Sequence, residues 1–128
     1  MGTQMASARR GMITDEMKQV AKDEGITPES LRAKMATGSI IIPANNVRPQ
    51  KVHRVGIGKG LKTKVNVNIG TSTLKVNLDE EIEKAKIAVK HHADTIMDLS
   101  DGGDVGSIRR ALLEAAPITF GTVPIYEA

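Results

Sequence analysis

Three residues invite a chemical reading first: Asn68 in "NVNIGTS", Met97 in "TIMDLSDGGD" and Tyr126 in "TVPIYEA". An amide donates and accepts hydrogen bonds, a thioether is a soft apolar contact, and a phenol offers one polar tip. Such groups contact a ligand if they meet on one surface. Their spacing suggests that they do, since 29 residues separate Asn68 from Met97 and 29 separate Met97 from Tyr126. Consecutive βα units of one size have equal strides, and α/β folds gather their chemistry where the strands finish. Each residue also has a structural reading. Asn68 can cap a strand-to-helix turn, Met97 can fill a core, and Tyr126 can be an ordinary rim residue. Asp98 can satisfy amides of its own turn, and Gly102 and Gly103 can serve positive φ angles.

Other chemistries find less support. His91 and His92 are adjacent on a predicted helix end, so their side chains diverge by about 100°. A solvated helix C-terminus suits them better than a metal, and His53 stands apart. No Ser-His-Asp or Cys-His arrangement fits the spacing. The chain has no cysteine, hence no disulfide and no thiolate metal site. Aromatic residues make up 2%, too few for base-stacking platforms. No apolar run approaches a membrane span, and "MGTQMASARRGMI" lacks the apolar centre of a secretory signal. A cytoplasmic protein binding neither membrane nor nucleic acid is the expectation.

The elements that position these residues follow from local pattern. Thr14 and Thr27 read as helix N-caps, with Asp15 and Glu16 in one first turn and Pro28 opening the other. Met17, Val20 and Ala21 share a face, and Gly25 and Gly38 lie at the helix ends. "SIIIP" suggests a brief strand, and residues 44–62 a loop. The spaced glycines of "GIGKG" precede a strand and so make a poor phosphate-binding signal. From Lys64 the pattern alternates, with Val65, Val67 and Ile69 on one side and Asn66, Asn68 and Gly70 on the other. Asn77 opens a helix with Leu78, Ile82, Ala85 and Val89 in one stripe, "ADTIMDLS" is a strand, and Asp104 opens a helix carrying Val105, Ile108, Leu112 and Ala115. "ITFGTVPIY" reads as a third strand ending at Tyr126. This order predicts parallel pairing, with right-handed crossovers putting both helices on one side. A doubly wound sheet and a (β/α)8 barrel both fit.

Net charge is +3, unevenly spread: from Ser30 to Leu78 there is no acid among Arg32, Lys34, Arg48, Lys51, Arg54, Lys59, Lys62, Lys64 and Lys75. Either this stretch attracts phosphate, as in a small phosphate- or nucleic-acid-binding protein, or it faces acids elsewhere in the fold.

"GIGKGLKTKVNVNIGTS", "ADTIMDLSDGGD", "IRRALLEAA" and "GTVPIYEA" resemble the phosphomethylpyrimidine synthase family of thiamine biosynthesis, as do "TQMASARRGMITDEMKQVAKDEGI" and "IIIPAN" near the start. The resemblance runs over essentially the whole chain. It implies a radical enzyme that uses S-adenosylmethionine and a 4Fe–4S cluster, with a divalent metal (zinc or iron), to rearrange 5-aminoimidazole ribonucleotide into hydroxymethylpyrimidine phosphate. It implies a homodimer, and an α/β fold in which residues 1–60 form a mainly helical region with a basic loop and residues 61–128 the first three βα units of a (β/α)8 barrel. By the same resemblance, Asn68, Met97 and Tyr126 contact the substrate. The family's metal-binding histidines, cluster cysteines and later phosphate-contacting segment fall beyond the equivalent of Ala128, so no metal ligand is expected in this segment. The chain is therefore expected to be an N-terminal fragment, inactive and marginally folded alone. Asp101, Glu127 and His92 depart from the family's usual Thr, Gln and Gly. The related 5-hydroxybenzimidazole synthase, which acts on the same ribonucleotide, shares these motifs.

Overall fold

The computed structural model describes residues 2–45 and 52–127. The chain divides into two compact units, one of Met1–Pro49 with Arg54–Thr63, the other of Gln50–His53 with Lys64–Ala128.

The first unit holds helices α1 (Gln4–Arg9), α2 (Asp15–Glu24) and α3 (Pro28–Ala36), then strands β1 (Ile40–Ile41) and β2 (Ile57–Gly58). A threonine caps each helix: Thr3, Thr14 and Thr27 accept from the amides of Ala6, Met17 and Ser30. Sequence pattern reveals the second and third, whereas α1 is only six residues long and too short for a periodic signal. Gly25 (φ 71°) and Gly38 (φ 78°) end α2 and α3 in the left-handed region. There Ile26 and Ser39 return their amides to Ala21 and Lys34. Ala8, Met17, Val20, Leu31, Met35 and Ile40 are buried in this unit's core.

One expectation is corrected here. Residues 44–62 are not all loop, because Ile57 and Gly58 pair antiparallel with Ile41 and Ile40. Two-residue strands carry no periodicity to read. The glycines of "GIGKG" serve close packing: a Cβ at Gly58 would lie 2.2 Å from the Ser39 carbonyl oxygen, and one at Gly56 2.6 Å from Val20 Cγ1.

Several bases of the acid-free stretch have partners within the fold. Arg32 donates to the Ala8 carbonyl, Lys62 to the Asp23 carbonyl, and Lys75 pairs with Glu80. Arg54 is buried, its backbone bracketed by the Gln19 amide. Lys75 thus faces an acid, as the second reading expects, whereas the Arg32 and Lys62 side chains meet backbone carbonyls. Arg48 and Lys51 lie outside the described residues.

The second unit runs β3 (Asn66–Ile69), α4 (Leu78–Lys90), β4 (Thr95–Asp98), α5 (Val105–Ala115), β5 (Thr119–Thr122) and a 3-10 turn (Pro124–Glu127). Its strands lie in the order β3-β4-β5, all parallel, as the alternation of elements predicts. Both helices pack on one face of the sheet: Ala85 and Ala88 of α4, Ile108 and Leu112 of α5, and Ile69 and Ile96 of the strands share one core. Ala116, the residue that caps the end of α5, is fully buried, whereas Ala115 is only half-buried. The result is a mixed α/β arrangement with a three-stranded parallel sheet; no closed barrel is present among the described residues.

The third strand is shorter than its sequence suggests. It ends at Thr122, and Tyr126 falls in the 3-10 turn begun by Pro124, not on the strand. Proline has no N–H to give a ladder and fixes φ near a turn value, so pairing stops before it.

Helix α4 ends with His91 and His92 exposed, as their position predicts. His92 adopts φ 60° where the closing motif favours glycine: its amide donates to Val89 O, and that of Ala93 to Ala88 O. The left-handed region costs an L-residue ~1–2 kcal/mol. His92→Gly is therefore expected to stabilise the second unit by about 1 kcal/mol, raising its melting temperature by roughly 4–8 °C. Calorimetry that finds no gain would refute this account of the helix end.

Candidate functional site

The site lies at the carboxyl end of the parallel sheet in the second unit. In β3 the side chains alternate: Val67 and Ile69 face the helices, and Asn66 and Asn68 are exposed on the other face. Asn68 pairs in register with Met97, so amide and thioether stand side by side on the face away from the helices. Met97 in turn pairs with Gly121 of β5. A Cβ at Gly121 would lie 3.0 Å from Met97 Cε and 3.1 Å from its Sδ, so the missing side chain is what lets the thioether lie over β5. Glycine inside a strand often marks such an approach, as Gly121 does in "TFGT".

Tyr126 does not share this register. Gly121 holds the place that equal strides assign to Tyr126, which follows five positions later and is 50% exposed. The stride from β3 to β4 is 29 residues, as Asn66 pairs with Thr95; the stride from β4 to β5 is 24, as Thr95 pairs with Thr119. The phenol thus comes from the turn just past the sheet's carboxyl end rather than from a strand.

Beneath this surface the two βα loops are joined. The Leu99 amide donates to Ile69 O (2.8 Å), and the Asp101 amide to Thr71 O (3.1 Å). The Thr71 hydroxyl donates to Gly102 O (2.7 Å), and the Thr71 amide to Ser100 Oγ (3.1 Å). Glycines make the contact possible: a Cβ at Gly70 would stand 2.5 Å from the Ser100 nitrogen, and one at Gly102 2.4 Å from Ser72 O. Gly102 is thus needed for close approach, while Gly103, at φ 84°, is needed for its backbone angle.

Two buried carboxylates anchor the loops. Asp98, 1% exposed, accepts from the Ser100 amide (3.0 Å) and hydroxyl and from Arg109 Nε of α5 (3.1 Å). It faces the helices, away from Asn68 and Met97, and acts as an anchor. Glu81 of α4, 4% exposed, accepts from the Gly70 amide (2.8 Å) and from Lys84 (2.8 Å). Contact with Glu81, then Glu80, holds the Lys84 ammonium above its ordinary pKa. In sequence Glu81 looks like one more acid in a helix first turn, and its burial was not legible there. At the start of α5, Asp104 accepts from the Ser107 hydroxyl and amide, which hold its carboxyl below the usual range.

The arrangement presents a neutral amide and a thioether, which bind rather than transfer protons, with a phenol in the turn past β5. It does not fit a resident metal or cluster. No group of three or more His, Cys, Asp or Glu could hold a metal among the described residues, and without cysteine the chain has no thiolate for iron–sulfur ligation. No helix among the described residues is long and apolar enough to cross a membrane.

Residues 3–128 match the family described as the Radical SAM ThiC family. The chain is 55% identical over 126 residues to phosphomethylpyrimidine synthase 1 of Methanothermobacter thermautotrophicus. It is 52% identical to a phosphomethylpyrimidine synthase of Thermus thermophilus and 56% identical to one of Pyrococcus furiosus, over the same length. Each match covers 98% of this chain but 29% of the relative's length.

Proposed function

Since the chain belongs to the Radical SAM ThiC family, we propose that it is the N-terminal part of a phosphomethylpyrimidine synthase and supplies one wall of the substrate site. The complete enzyme rearranges 5-aminoimidazole ribonucleotide to 4-amino-5-hydroxymethyl-2-methylpyrimidine phosphate for thiamine synthesis. The second unit is the opening portion of a (β/α)8 barrel, in a cytoplasmic homodimer. S-adenosylmethionine, a 4Fe–4S cluster and a divalent metal supply the radical chemistry, and the ligands of the cluster and the metal come from outside this segment.

The observation that carries the reading is the pairing of Asn68 with Met97 on the face of the sheet away from the helices. Tyr126 follows in the turn past β5. In this role Asn68 hydrogen-bonds a polar atom of the ribonucleotide, Met97 lies against an apolar part, and Tyr126 closes the rim with its hydroxyl. The polypeptide's contribution is to bind and orient.

In the complete enzyme, Asn68→Ala is expected to raise KM for 5-aminoimidazole ribonucleotide about tenfold, the equivalent of ~1.4 kcal/mol, with an unchanged melting temperature. Tyr126→Phe tests the phenol hydroxyl in the same assay. Wild-type kinetics in both variants would refute the assignment of the site. Chromatography of the product provides a separate check: the pyrimidine phosphate supports the reading, whereas 5-hydroxybenzimidazole would replace it with the related synthase.

A further inference from the structure

From the side-chain hydrogen bonds on the open face of the sheet, we infer that Thr95 and Asn66 are positioning residues that orient the Asn68 amide, leaving its Nδ2–H group as the donor offered to the ligand. The inference rests on the substrate site proposed above and specifies what that site recognises.

The two ends of an asparagine amide are nearly equal in size and opposite in hydrogen-bonding sense. A ligand meets the correct end reliably only if the protein holds the other. The Thr95 hydroxyl donates to Asn66 Oδ1 (2.7 Å), and Asn66 Nδ2 donates to Asn68 Oδ1 (2.9 Å). Thr95 and Asn66 are direct register partners, and Asn66 and Asn68 are two residues apart on one strand, so all three share a face. Thr95 is β-branched, which restricts its χ1 and keeps the hydroxyl near one position. With the carbonyl end of Asn66 engaged by Thr95, its NH2 end turns to Asn68. The Asn68 carbonyl is then turned toward Asn66, and the NH2 end, turned away from it, selects a hydrogen-bond acceptor on the ribonucleotide.

The test uses the complete enzyme and steady-state kinetics with 5-aminoimidazole ribonucleotide. Thr95→Val keeps the shape but removes the proton that starts the relay. Asn66→Asp keeps the acceptor for Thr95 but turns a carboxylate oxygen toward Asn68, which must then flip to donate inward and present its carbonyl outward. Each variant is expected to raise KM about fivefold, the size of one neutral hydrogen bond's orienting preference, with kcat nearly unchanged. Thr95→Ser retains the hydroxyl and should restore KM. A purely structural role would instead lower the melting temperature and leave KM alone.

If Asn68→Ala impairs binding while Thr95→Val and Asn66→Asp match the wild type, the relay is refuted and the site survives. If Asn68→Ala has no effect, both fall. Should Thr95→Val fold poorly, Asn66→Asp decides the matter alone.

Discussion

Gly102→Ala is expected to destabilise the second unit by ~3 kcal/mol, lowering its melting temperature by roughly 15 °C. The added methyl would stand 2.4 Å from both the carbonyl carbon and oxygen of Ser72, and 2.5 Å from the Thr73 nitrogen. These are backbone atoms and cannot rotate out of the way. Relief requires the loops after β3 and β4 to separate, which pulls on the Thr71–Gly102 and Asp101–Thr71 hydrogen bonds. The clash and the lost buried bonds therefore add. Gly106→Ala is the matching control. Its Cβ would meet nothing closer than 3.6 Å, at the start of α5, so the gain in helix propensity should stabilise by up to about 1 kcal/mol. Urea denaturation of the two variants should give midpoints on opposite sides of the wild type. A Gly102→Ala midpoint close to wild type would show that the loops are not closely joined.

Asp98→Ala is expected to cost a similar amount, ~2–4 kcal/mol. The carboxylate is almost wholly buried and takes hydrogen bonds from the amide and hydroxyl of Ser100 and from Arg109, whose side chain is 19% exposed. Ser100 in turn receives the Thr71 amide, so removing the carboxylate loosens the join between loops as well as the tie to α5. Asp98→Asn keeps one acceptor for Ser100 and should lose about half as much. Buried pairs are little screened, so the deficit should persist in 0.5 M salt, an ionic strength at which the Debye length is only ~4 Å. By contrast, Lys18→Met at the exposed Lys18–Asp15 pair should change stability by less than about 0.5 kcal/mol. Melting curves for the three variants at low and high salt provide the test. An Asp98→Ala deficit that vanished with salt would mean that the pair is solvated.

Both predictions concern the platform under Asn68 and Met97 rather than those residues themselves. A binding amide is useful only while its strand is held in place. β3 continues into Gly70, whose amide is held by Glu81, and β4 into Ser100, held by Asp98. Loosening either loop should therefore affect ligand affinity and stability together, whereas Asn68→Ala should affect affinity alone.

What the sequence determined by itself is local. Thr14, Thr27, Asn77 and Asp104 act as caps because a cap is written within four residues. Asn68 opposes Ile69 across the sheet because alternation has a period of two. The parallel order follows from strands separated by helices, and the long motifs carried the family resemblance. Only the tertiary structure decided the rest. Equal spacing in sequence did not become equal spacing in the sheet, because the second unit's crossovers differ in length, which puts Gly121 beside Met97; Pro124 then ends β5 and leaves Tyr126 in a turn. Gly102 proved to be a point of backbone contact, and Asp98 and Glu81 proved to be buried anchors. Such roles arise where separate segments meet, and the position of each meeting depends on strand register and loop length together, which no single stretch of residues encodes.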